Sequence, residues 1–141
     1  MSSLLIIDDE PNVCYSLQRA LESPTLRVST AGTAREGIQS IRCSAPDVVI
    51  LDVRLPDMTG LEAYAMIRQI DARLPVIVIT AHGTTETAIE ATKLGAFDYL
   101  LKPLDLDQFG NVVARAIHAS QISRELSASD PQTLARLRQR V

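Results

Sequence analysis

The amino-acid sequence predicts an α/β fold, a doubly wound parallel sheet of five strands with a helix after each strand. Two observations support this prediction. Apolar runs such as LLII, VVIL and VIVI are unbroken, as expected of parallel strands that are buried on both faces. These runs alternate with helical patterns along the chain. Right-handed crossovers then place helices on both faces, and the simplest strand order is 2-1-3-4-5.

The strand positions follow from the apolar runs and from the turn residues beside them. Pro46 and Pro75 precede the third and fourth runs, where a chain turns into a new element. The second run is shorter and more polar than the others, which suits an edge strand. The predicted strands cover residues 3–7, 26–30, 47–51, 76–79 and 97–101.

The helices are predicted from start and stop signals. Pro11 suits the first turn of the first helix, and Gly95 ends a fourth helix at about residues 84–94. The other helices begin at capping sequences, in which an oxygen-bearing side chain precedes a Glu or Gln by three positions. These sequences are Thr33-x-x-Glu36, Thr59-x-x-Glu62 and Asp105-x-x-Gln108.

Apolar residues repeat at helical spacing and predict which side of each helix faces the sheet. The residues predicted to face inwards are Val13, Leu17, Ala20 and Leu21 in the first helix, Ile38 and Ile41 in the second, Leu61, Ala65 and Ile67 in the third, and Phe109, Val112, Val113, Ala116 and Ile117 in the last.

Composition narrows the class of protein. The chain has 141 residues, 46% of them hydrophobic, and a formal net charge of −3. This argues against a disordered chain and against a strongly basic nucleic-acid surface. No apolar stretch is long enough to span a membrane, and no signal-peptide pattern opens the sequence. We therefore expect a cytoplasmic protein in which Cys14 and Cys43 are reduced core residues.

The sequence divides at about residue 120. Residues 1–120 carry the alternating pattern and form the predicted domain. Residues 121–141 are predicted to be a helical extension or linker, in which Asp130-Pro131 could start a short helix through Leu134 and Leu137. This segment is too short for a DNA-reading domain, so we expect no direct contact with nucleic acid.

Carboxylates follow two strands that are neighbours in the predicted sheet. Asp8 and Asp9 come directly after the first strand, and Asp52 follows the third. Three negative charges in one crevice require a counter-ion or raise a pKa. Carboxylate oxygens with an open side suit Mg²⁺, for which Mn²⁺ could substitute. Alternatively, the run Asp8-Asp9-Glu10 only caps the helix that begins at Pro11.

Two further strand ends carry polar residues. Lys102 is one of only two lysines among fourteen basic residues, and a compact ammonium at a buried strand end could contact a phosphoryl oxygen. Thr80 could donate a hydrogen bond to the same group, and Tyr99 lies three positions before Lys102. The alternatives are a surface lysine, a common strand-ending threonine and a packing tyrosine. The bond before Pro103 can be cis.

Together these residues resemble a known family. The segments IIDDEP, VVILDVRLPDMTGLE, VIVITAHG and GAFDYLLKP are similar to those of the receiver domain of two-component response regulators, across roughly residues 3–120. The resemblance implies a flavodoxin-like (βα)5 fold. It also implies roles for particular residues: Asp52 as phospho-acceptor; Asp9, Asp52 and the backbone carbonyl of Arg54 as Mg²⁺ ligands, with Asp8 acting through water; Thr80 and Tyr99 as switch pair; Lys102 as phosphate contact; and a cis peptide at Lys102–Pro103.

The resemblance further implies a signalling switch that receives a phosphoryl group from a sensor histidine kinase. TAHG and GAFDYL look most like receivers of nitrogen-regulation-type regulators that activate sigma-54 promoters. The implied output ATPase and DNA-binding domains are not in this chain. The face formed by helix four, strand five and helix five would change on phosphorylation. Ala88, Ile89 and the outer face of helix five could also pair two copies.

Arg54 and His82 each lie two positions past a key residue, Asp52 or Thr80. We hypothesise that they flank the path of hydrolytic water and set the lifetime of the phosphoryl group. His82 and His118 themselves are interpreted as surface histidines rather than phosphodonors.

Three other functions fit these residues less well than that of a receiver domain. A Mg²⁺-dependent phosphohydrolase of the haloacid dehalogenase type would carry a second Asp where Arg54 stands. A nucleotide-binding protein would have a Gly-rich phosphate loop after a strand, and none is present. An interaction module that is never phosphorylated would not need the acid pair, Asp52, Thr80 and Lys102 together.

Overall fold

Five strands alternate with helices in the computed structural model, which describes residues 1–81 and 85–128. Every residue of the third and fourth strands is buried, as expected when helices cover both faces of a sheet. The predicted strand ends agree with the observed ends to within one residue. The strands of the described residues are β1 (Ser2–Ile7), β2 (Leu26–Ala31), β3 (Val48–Asp52), β4 (Val76–Thr80) and β5 (Asp98–Leu101).

The helices begin where the capping sequences predict. The side-chain oxygens of Thr33 and Thr59 accept hydrogen bonds from the backbone N–H groups of Glu36 and Glu62, at 3.1 and 3.2 Å. Such bonds satisfy donors that have no partner inside the helix. The described helices are α1 (Pro11–Leu21), α2 (Ala34–Cys43), α3 (Gly60–Ile70), α4 (Thr85–Lys93) and α5 (Leu106–Ala128).

The sheet is parallel throughout, with the order β2-β1-β3-β4-β5. The predicted fold and strand order are therefore confirmed. Successive strand side chains point to opposite faces, so β1 divides its apolar residues between two cores. Leu4 and Ile6 pack with α1 and α5, whereas Leu5 and Ile7 pack with α2 and α3.

Two predicted helix positions are wrong. Ala20 and Ala65 are exposed. In α1 the half-buried Cys14 joins Leu17 in the core instead of Ala20, and in α3 the buried Tyr64 lies where Ala65 was expected to contribute. A methyl side chain has little apolar area, so its free energy differs little between facing the core and facing solvent. Alanine therefore gives a weak indication of which way a helix faces.

Cys43 and Ala88 also differ from expectation. Both cysteines are free thiols, but Cys43 is exposed near the end of α2 and does not belong to the core. Ala88 was assigned to an outward face that could pair two copies, yet it is fully buried. Its side chain lies on the inner side of α4 and packs into the core. The next residue, Ile89, is 38% exposed.

α5 continues to Ala128, past the predicted end of the domain at residue 120. The division between a domain and an extension at that residue stays a prediction. The short helix predicted through Leu134 and Leu137 lies outside the described residues, and so does His82. Among the helices that the structure describes, none is long and apolar enough to cross a membrane.

We predict that Gly60→Ala lowers the free energy of unfolding by about 1–3 kcal/mol, measured by urea denaturation. A Cβ atom at Gly60 would lie 2.5 Å from the Cα atom of Val53, so backbone would have to move. Gly110 in α5 is a matched control, because a Cβ there meets nothing within 4 Å. Gly110→Ala should be stabilising by about 0.4–1 kcal/mol. A Gly60→Ala variant as stable as the wild type would contradict the prediction.

Candidate functional site

The parallel sheet brings the ends of β1, β3, β4 and β5 to one edge of the molecule. Asp8 follows β1, Asp52 ends β3 and Thr80 ends β4. Lys102 follows β5, and its backbone N–H donates to the carbonyl of Thr80 at 2.8 Å. Ligands in open α/β sheets bind at this edge, so the sequence and the topology indicate the same place.

The Lys102 ammonium lies among three carboxylates. Its Nζ atom is 3.0 Å from Asp8 Oδ2, 3.0 Å from Glu10 Oε1 and 3.1 Å from Asp52 Oδ2. Burial acts to lower the pKa of Lys102, but the contacts with Asp8 and Glu10 and the charge of Asp52 outweigh it and raise the pKa above its ordinary value. Lys102 is therefore a permanent cation at this edge of the sheet.

Asp8 is the most deeply buried acid of the group, with 1% of its surface exposed. Burial raises its pKa from the ordinary 3.8 to about 6, and the charge of Asp52 adds to the effect. The backbone N–H of Glu10, 2.9 Å from Asp8 Oδ1, and the contact with Lys102 act in the opposite direction. One ammonium thus does not fully compensate the negative charge of the site.

A divalent cation fits the same group of acids. Carboxylate oxygens of Asp8, Asp9, Glu10 and Asp52 all lie within 4.8 Å of one another. Oδ2 of Asp8 is buried and lies 3.0 Å from the Lys102 ammonium, which Glu10 and Asp52 also contact. Because three carboxylates share this ammonium, a second cation would be favourable there, and oxygen ligands suit Mg²⁺. Asp9 and Glu10 are exposed, so the cluster is open to solvent on one side.

The loop after β3 wraps around Asp52. The backbone N–H of Arg54 donates to Asp52 Oδ1 at 3.1 Å, and Arg54 forms a β-bridge with Thr59. The Arg54 side chain is exposed. The loop is also attached to α2, because Asp57 accepts hydrogen bonds from the backbone N–H groups of Ala34 and Arg35, both at 2.9 Å. Slight desolvation acts to raise the pKa of Asp57. These hydrogen bonds outweigh it and hold the pKa below its ordinary value.

Thr80 and Tyr99 differ in their relation to the acids. Thr80 is fully buried, and its hydroxyl donates to the carbonyl of Ala81 at 3.2 Å. The half-buried Tyr99 packs against the core on the α3 side of the sheet. The peptide bond between Lys102 and Pro103 is cis. The structure therefore groups Asp8, Asp9, Asp52 and Lys102 and places Thr80 at the same edge.

Two contacts at the site were not predicted from the sequence. Glu10 belongs to the polar run after β1 and was also considered as a helix cap, but its side chain makes no cap hydrogen bond and contacts Lys102 instead. The sequence feature that could have indicated the contact with Lys102 is the position of Glu10 next to Asp8 and Asp9. Asp57 gave no such indication, because its partners lie in a helix more than twenty residues earlier in the chain.

Most of this chain matches known proteins. Residues 4–114 match the model of the response regulator receiver domain. The chain is 37% identical over 126 residues to the regulatory protein AtoC of Escherichia coli, covering 89% of this chain and 27% of that protein. It is 36% identical over 131 residues to the DNA-binding transcriptional regulator NtrC of Escherichia coli, covering 91% and 28%. It thus spans about a quarter of the length of these relatives.

A solved structure shows the same fold. The crystal structure of a response regulator receiver domain protein from Clostridium thermocellum superimposes with a TM-score of 0.81 at 32% sequence identity, covering 86% of this chain and 98% of that one.

We predict that Asp8→Asn stabilises the protein in the presence of a metal chelator. Because the folded-state pKa of Asp8 is about 6, above the ordinary 3.8, ionised Asp8 costs stability. That cost is absent below pH 3.8 and complete above pH 6. The free energy of unfolding of the variant should exceed that of the wild type by about 3 kcal/mol at pH 7.5, and the difference should narrow towards pH 4.

Urea denaturation at several pH values measures this difference, with Glu90→Gln as a control for loss of an exposed charge. An Asp8→Asn variant no more stable than the wild type at pH 7.5 would show that the charge of Asp8 is fully compensated without a metal.

Proposed function

The chain belongs to the response regulator receiver domain family, and we propose that it is a phosphorylation-activated switch of a two-component system. The single observation that carries the proposal is the position of Asp52, which lies 3.1 Å from the Lys102 ammonium inside a cluster of carboxylates. A nucleophilic carboxylate, a phosphate-binding cation and a metal-binding acid group are the parts that phosphoryl transfer to an aspartate requires.

In the proposed reaction, a carboxylate oxygen of Asp52 attacks the phosphorus of a phosphohistidine on a sensor histidine kinase, or of a small acyl phosphate. The new O–P bond forms as the bond to the leaving group breaks, and a leaving imidazole takes up a proton. Lys102 stabilises charge on the phosphoryl oxygens. Mg²⁺ would be held by Asp9, Asp52 and the backbone carbonyl of Arg54, with Asp8 acting through water. The ion would neutralise charge on the phosphoryl group.

The proposed switch begins with the charge of the new group, roughly −1.5 to −2. Thr80 and Lys102 are drawn towards it, and Tyr99 occupies the space that Thr80 leaves. Moving such an equilibrium from mostly off to mostly on takes about 5 kcal/mol of differential stabilisation. Charge-assisted hydrogen bonds to the phosphoryl oxygens are strong enough to contribute this. The face formed by α4, β5 and α5 then changes shape.

The same face is the proposed contact for a second copy. It presents Ile89 and Leu101, which are 38% and 50% exposed, and an Asp98–Arg115 ion pair at 3.6 Å. The similarity to AtoC and NtrC supports a receiver of the nitrogen-regulation type, in which ATPase and DNA-binding output domains lie outside residues 1–141. A cytoplasmic location and a histidine kinase partner follow from this assignment.

Enzymatic action on external substrates is not proposed, beyond the domain's own phosphorylation and dephosphorylation. Arg54 stands where a haloacid-dehalogenase-type phosphohydrolase needs a second Asp, and its side chain is exposed. A module that is never phosphorylated does not account for the buried Asp8 and Asp52. They share one ammonium with Glu10, and carboxylates in excess of their counter-ions are costly to bury.

We predict that acetyl phosphate with Mg²⁺ adds one phosphoryl group to the wild-type protein, observed as a mass increase. Asp52→Asn should abolish the adduct, because the amide is not a nucleophile. Asp57→Asn is the matched control in the same loop and should still be phosphorylated, since Asp57 only caps α2. An unmodified wild type, or an Asp52→Asn variant modified to the same extent, would contradict the proposal.

We also predict that replacing Arg54 and His82 together by Ala changes the rate constant of phosphoryl loss. The reason is their proposed position beside the path of the attacking water. The decay of the isolated phosphoprotein measures this rate, with His118→Ala as the control. Equal rates for the wild type and the double variant would remove any such role.

A further inference from the structure

Glu10 has a contact that the proposed reaction does not use. It is the N-cap residue of α1, but its side chain forms no cap hydrogen bond. Instead its Oε1 atom lies 3.0 Å from Lys102 Nζ, although 92 positions separate the two residues in the sequence. The exposed carboxylate therefore bonds to the cation that must later contact the phosphoryl group.

The three acids around Lys102 differ in exposure. The side chains of Asp8 and Asp52 are 0% and 6% exposed, whereas that of Glu10 is 58% exposed. The two buried carboxylates are held by the ends of β1 and β3, while Glu10 reaches Lys102 from the solvent side. A phosphoryl group on Asp52 would add negative charge beside Glu10, and like charges repel. The phosphoryl oxygens and Glu10 would also share one ammonium.

We propose that Glu10 is a positioning residue, which holds Lys102 in the unphosphorylated state and competes with the phosphoryl group for it. Glu10 thereby raises the stability of the unphosphorylated form relative to the phosphorylated one. At the same time its charge adds to the acid cluster and favours a divalent cation. This inference rests on the proposed function of the same site.

Because of these two roles, Glu10→Gln should change the affinities for Mg²⁺ and for a phosphoryl mimic in opposite directions. Loss of one negative charge weakens Mg²⁺ binding. It strengthens binding of beryllofluoride, a phosphoryl mimic, because Lys102 is released and the repulsion is gone. For a partly exposed ion pair each change should be about two- to fivefold. A merely structural role of Glu10 would lower both affinities together.

The test is equilibrium binding to the full chain, first of Mg²⁺ alone and then of beryllofluoride at saturating Mg²⁺. Glu22→Gln at the other end of α1 is the matched control and should behave as the wild type. Glu10→Asp is a second variant, which keeps the charge but shortens the side chain by one methylene. It should retain wild-type Mg²⁺ affinity and bind beryllofluoride more tightly, because it cannot reach Lys102.

Opposite shifts in Glu10→Gln support the inference. Unchanged or weaker beryllofluoride binding by Glu10→Gln overturns it, as does a Glu10→Asp variant that binds beryllofluoride like the wild type. Failure of the proposed function gives a different result, since the wild-type protein would then not bind beryllofluoride at all.

Discussion

The structure depends on the balance between one ammonium and several carboxylates at the edge of a parallel sheet. Lys102 contacts Asp8, Glu10 and Asp52 within 3.1 Å, and Asp9 belongs to the same cluster. A single cation leaves net negative charge in a site whose inner members are buried, where charges interact strongly. This excess favours a divalent ion at the edge, and in the proposed function the ion and Lys102 together would bind a phosphoryl group.

The fold supplies the rigidity that this balance requires. Asp8 and Asp52 follow or end the adjacent strands β1 and β3, so their separation is set by the ladder of hydrogen bonds between the strands. Lys102 is fixed by its backbone bond to Thr80 at the end of β4. Asp57 ties the loop after β3 to α2. Asp52, Thr80 and Lys102 are therefore linked across the ends of β3, β4 and β5.

Much of this arrangement could be predicted from the sequence, because buried parallel strands appear as apolar runs and polar residues follow the strand ends. The strand order and the grouping of Asp8, Asp52 and Lys102 follow from that pattern. The outward positions of Ala20 and Ala65 could not be predicted, since alanine has little apolar area to bury. The Glu10–Lys102 and Asp57–α2 contacts join distant segments through side chains. Only the packed structure fixes such contacts.

The most direct test of this account is a crystal structure of the protein with Mg²⁺ and beryllofluoride. We predict beryllofluoride on Asp52, a metal ion held by Asp9, Asp52 and the carbonyl of Arg54, and Lys102 Nζ within hydrogen-bond distance of a fluorine atom. A structure soaked at saturating concentrations that shows the metal elsewhere, or Lys102 turned away from Asp52, would contradict the account.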